Sequence, residues 1–293
     1  MQSLQGLKSS IDSAENLQSI VGTMKAHASS NINQFQNAAE ASRVYRKVLD
    51  KSLYVVLADD EISPLVEVSG GETLHIVFGS DHGLAGRFNE RIYEYALKNI
   101  PDDEKNKVIV IGQQIFQRLQ GDLDIRSSFM QPQTTDSISS MVSRILVEIS
   151  EIREEKDVEE IILYYNRPID NVSFEEETEV LFPIDLLAIA KGKVDWDSKR
   201  LPTYFAEKEK LVSDLMRQYF FITLYRAFCF SLASENASRL SSMKSAEDNI
   251  EERLEELNFS YRRERQNSIT EELNDVVAGF KAIQSSKDEE EEE

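Results

Sequence analysis

The sequence predicts an α/β protein of uneven build, with a long helix at each end and a small α/β domain inserted between them. Three observations predict it. The six prolines (Pro64, Pro101, Pro132, Pro168, Pro183 and Pro202) all fall in the middle of the 293-residue chain. Proline removes a helical hydrogen bond and clashes with the preceding turn, so only the two ends can be long helices. Apolar residues at both ends recur in alternating steps of three and four, the spacing of a coiled-coil seam. Between them, short runs rich in Val, Ile and Leu alternate with helical spacing, as in sheets covered by helices.

The first arm, residues 1–58, carries its seam on Leu4, Leu7, Ile11, Ala14, Val21, Met24, Ala28, Phe35, Ala38, Tyr45 and Leu49. Polar Gln18, Asn31 and Ser42 interrupt it, and Gly22 is a weak point costing about 1 kcal/mol against Ala. A helix from Ser3 to about Leu57 would span roughly 80 Å at 1.5 Å per residue.

The middle, residues 70–190, reads as strand Leu74–Ser80, a helix from about Arg87 to Asn99, strand Lys107–Ile111, short helix Gln113–Leu119 and a third strand Ile125–Phe129. Helical spacing follows over Ser137–Arg153, then strand Ile161–Tyr165 and an edge strand Glu179–Phe182. The last arm is a helix over residues 206–284, about 120 Å long. Its first third is apolar through Leu211, Leu215, Ile222, Tyr225, Phe228 and Leu232, and its seam thins to Met243, Ala246, Ile250, Leu254, Leu257, Tyr261, Val276 and Phe280. It outruns the first arm, so part of it stands alone or is wrapped by another protein. Residues 285–293, ending in Asp288–Glu293, read as a disordered acidic tail.

Composition narrows the function. The chain holds 33 Lys and Arg against 53 Asp and Glu, a net charge of −20, which argues against nucleic acid as a partner because phosphates need a basic surface. The richest apolar stretch, Tyr219–Leu232, is broken by Thr223, Arg226 and Ser231, so no direct membrane insertion is expected. The MQSLQGLKSS start lacks an apolar signal core. Cys229 is the only cysteine, which excludes an internal disulfide and a dithiol switch. His27, His75 and His82 fall on different elements without metal-ligand spacing, so neither a metal nor a cofactor is expected. The loop Gly79-Ser80-Asp81-His82-Gly83-Leu84-Ala85-Gly86-Arg87 could cradle a phosphate on backbone amides. It lacks the Gly-Lys-Ser/Thr ending of a P-loop, and a tight turn that lets helix pack closely on strand accounts for its glycines as well. Nothing in the sequence assembles a catalytic site.

Several segments then carry a resemblance. Leu224-Tyr225-Arg226-Ala227, Ser231 through Leu240, and Met243 through Asn249 resemble the gamma subunit of F-type ATP synthases, as does Arg265-Gln266-Asn267-Ser268-Ile269-Thr270-Glu271-Glu272-Leu273, which looks like that family's C-terminal signature. Ser80 through Asn89 is similar to the family's post-strand loop, and Ile11 to Ser29, with Met24-Lys25, to its first helix. The resemblance implies a long antiparallel coiled coil of the terminal helices with a small Rossmann-like α/β domain inserted. It implies a central-stalk rotor, peripheral on the cytoplasmic face of the energy-transducing membrane, with alpha, beta and epsilon subunits and the membrane c-ring as partners. The alpha and beta subunits would hold the nucleotide chemistry. By the same likeness Arg265, Gln266, Thr270 and Glu272 would form a catch against a beta loop, with Met24 and Lys25 a further shaft contact.

The chain departs from the family where Asn31, Asn33 and Gln34 stand in place of basic residues, which weakens electrostatic coupling there. The first helix, and Asn236 read with Ile250-Glu251-Glu252-Arg253, resemble the horizontally spread, sodium-linked branch. Two other readings fit the composition and spacing: a non-rotary coiled-coil tether with an α/β head, and a small nucleotide-binding protein using Gly79–Arg87.

Overall fold

The computed structural model describes residues 3–57, 71–170, 173–185, 189 and 202–290, with side chains of the last helix as far as residue 281. The elements are α1 (Leu4–Leu57), β1 (Glu72–Phe78), α2 (Phe88–Asn99), β2 (Asn106–Ile111), α3 (Gln113–Leu119), β3 (Ile125–Phe129), α4 (Thr135–Glu155), β4 (Val158–Pro168), β5 (Phe174–Phe182) and α5 (Lys208–Glu290). The chain forms two compact units, one of Met1–Lys25 with Met243–Glu293, the other of Ala26–Ser242.

In the first unit, Leu7 and Ala14 of α1 bury against Leu257 of α5, with Ile11, Leu254 and Tyr261 around them. Further along α1, Lys25 pairs with Glu247, so the two helices run antiparallel. Beyond this contact α5 continues through residues 271–281 with every residue exposed. The helix runs to Glu290, past the expected end at Gln284. Residues 291–293 lie outside the described residues.

The second unit is built on a five-stranded sheet in the order β3-β2-β1-β4-β5. The first four strands are parallel, and β5 returns antiparallel on β4. Parallel strands covered on both faces read as continuous apolar runs, as Leu74–Phe78 and Val108–Ile111 do. Successive side chains point to opposite faces. Leu74, Ile76 and Phe78 join Ile109 and Ile111 beneath Phe35 and Ala39 of α1, Ile138, Val142 and Ile145 of α4, and Leu224, Phe228 and Leu232 of α5. Val77, Val108 and Val110 face the other way, against Ile92 and Ala96 of α2 and Ile115 and Leu119 of α3. The result is a three-layer domain whose one cover is the helix pair itself. α4 starts on a capping box, with Ser137 N donating to Thr134 Oγ1 and Thr134 N to Ser137 Oγ.

The buried positions of α1 correct the expected seam. Leu7, Ala14, Val21, Ala28, Phe35, Ser42, Leu49 and Val56 are all buried, and Ile32, Ala39 and Leu53 complete the stripe. Tyr45 is 42% exposed whereas Ile32 is 3% exposed. From residue 24 onward the second seam row therefore stands one residue later than expected, at Lys25, Ile32, Ala39 and Leu53, and Ser42 is a seam member rather than an interruption. Its hydroxyl stays satisfied by donating to Ala39 O at 2.6 Å, which removes the cost of burying it. β3 has its expected bounds, β1 starts and ends two residues earlier than expected, and β5 and above all β4 are longer, β4 beginning at Val158 and ending at Pro168.

Candidate functional site

The loop after β1 is the most densely tied segment of the second unit. Gly79 and Gly112, at the ends of β1 and β2, approach so closely that a Cβ on Gly112 would lie 2.7 Å from Gly79 C. Gly112 also holds φ +109, where a side chain would be strained. Beyond them Asp81 binds the loop to the sheet ends, its Oδ1 accepting from Gln113 N and its Oδ2 from Gln131 N, each at 2.9 Å. Ser80 N donates to Asn89 Oδ1 at 3.0 Å, and Asn89 Nδ2 to Ser80 Oγ at 2.7 Å. Asp81 thus ties the loop to the first amide of α3 and to Gln131, the Ser80 amide of the loop is taken by Asn89, and the close approach of Gly79 and Gly112 favours the structural reading of these glycines.

The far side of the loop rests on α5. Ser238 Oγ donates to Ala85 O at 2.6 Å, and Arg239 Nη2 reaches Gly83 O at 3.5 Å. Gly86 lies with its α-carbon against Ser238 and Ser242, so that a Cβ there would meet Ser242 Oγ at 2.7 Å. Glu235 is buried and paired with Arg239. Ser234 Oγ donates to Asn166 O at 3.0 Å, which ties the same face of α5 to β4. Asp81, Gln131, Glu235 and Ser238 were not among the expected site residues. Glu235 and Arg239 could have been found from their four-residue spacing, which lets a helix pair them; the long-range partners of Asp81 carry no local signal.

The expected catch lies in the first unit. Arg265, Gln266, Thr270 and Glu272 are all exposed on α5. Thr270 Oγ1 donates to Gln266 O at 2.9 Å, a bond within the helix. Among the described residues Arg265 and Glu272 make no ion pair. The apolar Ile269, Leu273, Val276, Val277 and Phe280 lie along the same stretch and are exposed as well. Met24 and Lys25 are half-buried on α1, and the Lys25 ammonium is already paired with Glu247. The structure therefore places the four expected catch residues on one exposed stretch of helix, with the Thr270 hydroxyl bonded within that helix, while it commits Lys25 to a partner inside the chain.

The positions that replace basic residues on α1 also turn inward in part. Asn31 Nδ2 donates to Asn236 Oδ1 at 3.5 Å, and Gln34 Nε2 to Thr135 Oγ1 at 3.0 Å. Asn33 is exposed. The remaining chemistry is quiet. Cys229 is buried, and desolvation pushes its thiol up to about 12. His75 is buried between Tyr164 OH, 3.1 Å from Nδ1, and Asn106 Oδ1, 2.8 Å from Nε2. Burial pulls its pKa below the ordinary value, with the Asn106 bond opposing. Among the described residues no cluster of His, Cys, Asp and Glu could hold a metal, and no helix is long and apolar enough to cross a membrane.

An antiparallel pair of long terminal helices, with a mostly parallel α/β sheet inserted in the chain between them and packed on the pair, is the architecture of a central-stalk subunit. The family model described as ATP synthase matches residues 3–283, and the chain belongs to that family as one of its gamma subunits. The gamma chain of Staphylococcus saprophyticus ATP synthase is 25% identical, with 97% of this chain and 100% of that one covered. Those of Granulibacter bethesdensis and Xylella fastidiosa are 27% and 28% identical over the same shares. Among solved structures, a chain of the Euglena gracilis mitochondrial ATP synthase (OSCP/F1/c-ring) superposes with a TM-score of 0.65 at 16% identity, over 97% of this chain and 95% of that one. A chain of the Tetrahymena thermophila central stalk and c-ring gives 0.55 at 19% identity, over 78% and 99%.

Proposed function

We propose that the chain is the central-stalk rotor that couples ion-driven rotation of a membrane ring to ATP synthesis or hydrolysis at alpha and beta subunits. The observation that carries the reading is the free end of α5. Ile269, Leu273, Val276 and Phe280 are exposed there beside Arg265, Gln266, Thr270 and Glu272. An apolar seam with no helix against it, dotted with free polar groups on several faces, suits a shaft end enclosed by other subunits. The shaft would present a different face to each beta subunit and so stabilise a different conformer in each. The nucleotide chemistry then belongs to those subunits, and this chain contributes contacts rather than a catalytic residue. Epsilon and the ring would dock on the α/β end, with the chain peripheral on the cytoplasmic face.

Co-expression with the alpha and beta subunits tests this. The expected result is a complex of fixed stoichiometry in which a bead fixed to the α/β domain rotates during ATP hydrolysis. ATP titration of the chain alone is expected to show no saturable binding. A chain that fails to enter the complex, or that binds ATP at micromolar concentration, would overturn the reading.

A further inference from the structure

Glu235 is a buried carboxylate that the rotor reading leaves without a task. It is 4% exposed, on the face of α5 that meets the loop after β1. Its Oε1 accepts from Arg239 Nη2 at 2.5 Å, and its Oε2 is buried with no hydrogen-bond partner. The same guanidinium nitrogen reaches Gly83 O at 3.5 Å. Arg239 therefore stands between a carboxylate on its own helix and a carbonyl of the loop. The neighbouring Ser238 anchors the next carbonyl but one, that of Ala85, at 2.6 Å. Leu84, between those two carbonyls, holds φ 62, a conformation that a non-glycine residue keeps only where its surroundings impose it.

We propose that Glu235 is a positioning residue for torque transfer: its buried carboxylate holds Arg239 across the Gly83 carbonyl and so latches the Gly79–Gly86 loop to α5. The inference rests on the rotor reading, because a latch between shaft helix and α/β domain matters when one must turn the other. Unlike the serine contacts, which use neutral groups, this latch depends on a charge.

That charge makes the latch sensitive to acid. Burial pushes the Glu235 carboxyl up, opposed by Arg239 and the nearby Gln131 and reinforced by the negative charge of Asp81. The charged groups facing it are Arg239 from its own helix and Asp81 from the loop. On α1, neutral Asn31 lies against neighbouring Asn236, with His27 one turn earlier and bonded to Asn31 at 3.3 Å. A carboxyl whose folded pKa is raised takes up a proton on folding. Its contribution to overall stability is fullest below the unfolded pKa and is lost as pH rises through the folded one. Protonation therefore releases Arg239 without unfolding the chain through this group, so latch and fold respond to acid in opposite directions.

The test compares the native chain with Glu235→Gln, which keeps the shape and removes the charge. Arg239→Lys, which keeps a charge but not the forked donor, is the second variant. Amide exchange of Gly83–Gly86 in the full chain is expected to be about tenfold faster in both variants at neutral pH, with β2 and α4 unchanged. Acidification should bring the protection of the native loop, its exchange rate relative to the intrinsic rate at the same pH, down to that of Glu235→Gln, whose own protection stays flat as Glu235 would otherwise titrate. In the assembled complex, ions pumped per ATP hydrolysed should fall severalfold while assembly persists. Unchanged loop exchange, or a loosened loop with unchanged pumping, would overturn the proposal. Failure of the native chain to assemble or pump would defeat the rotor reading instead, and with it the torque role.

Discussion

Lys25 of α1 and Glu247 of α5 form an ion pair across the two helices, and Lys25 stands at a seam position between Val21 and Ala28. The two side chains remain 33% and 30% exposed, so the pair is worth no more than about 1 kcal/mol. Lys25→Ala and Glu247→Ala should each lower the denaturation free energy by about that amount or less. A double-mutant cycle at low and high salt checks it, and the coupling should shrink as salt rises.

Leu232 offers a contrasting case. It is buried between the helix pair and the sheet with Phe228 and Ile76. Leu232→Ala is expected to destabilise the chain by about 2–5 kcal/mol, the usual cost of a core truncation. Ile222, at the limit of burial with 9% exposed, should fall at the lower end of that range on truncation to Ala. Urea denaturation of the two variants ranks them, and equal small losses would place α5 outside the core.

His75 should make the chain acid-sensitive. Its pKa is lowered by burial, so folding favours the neutral ring. The stability gained this way is complete above the unfolded value of about 6.5 and is lost as pH falls through the folded value. Its Tyr164 and Asn106 partners can serve a neutral ring in one tautomer. Thermal melts between pH 7.5 and 5 should show a loss of stability that His75→Gln flattens.

Cys229 should be inert. Its thiol sits in the core under α4 and the sheet, and desolvation holds it near 12, so almost none is thiolate at neutral pH. Maleimide labelling at pH 7.5 should therefore proceed only at the rate of unfolding. Rapid labelling of the folded chain would show that this part of α5 opens locally.

These outcomes follow the division between what was legible in the sequence and what was not. The proline-free ends and the Val/Ile runs fixed the elements because backbone hydrogen bonding and burial are local constraints. The seam slipped from residue 24 because neighbours such as Ala38 and Ala39 are equally apolar, and only packing in the core decides that Ala39 is the fully buried one. Glu159 and Glu160 hid the start of β4, yet the strand forms there because its ladder with β1 begins at Val158. The role of Asp81 was invisible because its partners, Gln113 and Gln131, are backbone amides distant along the chain. The expectation of a catch at Arg265, Gln266, Thr270 and Glu272 rests on likeness to a family alone, since an exposed polar helix face is locally indistinguishable from a solvated one.

The catch itself gives the final prediction. Gln266 and Thr270 are one turn apart on α5, and Glu272 lies about 200° around the helix from Thr270 at 100° per residue. Polar groups on two faces suit a site with partners on more than one side. The Thr270 hydroxyl donates to Gln266 O at 2.9 Å, a bond whose loss in an exposed helix is offset by the higher helix propensity of alanine. Replacing Gln266, Thr270 and Glu272 together with Ala should leave the isolated chain as stable as before, so any effect on the complex arises at the interface. A hydrogen bond to a charged group is worth about 1.5–3 kcal/mol, and about 1.4 kcal/mol is a tenfold change in rate. ATP turnover of the assembled complex should therefore fall by about tenfold or more while subunit stoichiometry stays fixed. A triple variant that assembles and turns over ATP like the native complex would remove these three residues from the rotor–stator contact, and the exposed apolar row from Ile269 to Phe280 would then have to carry it alone.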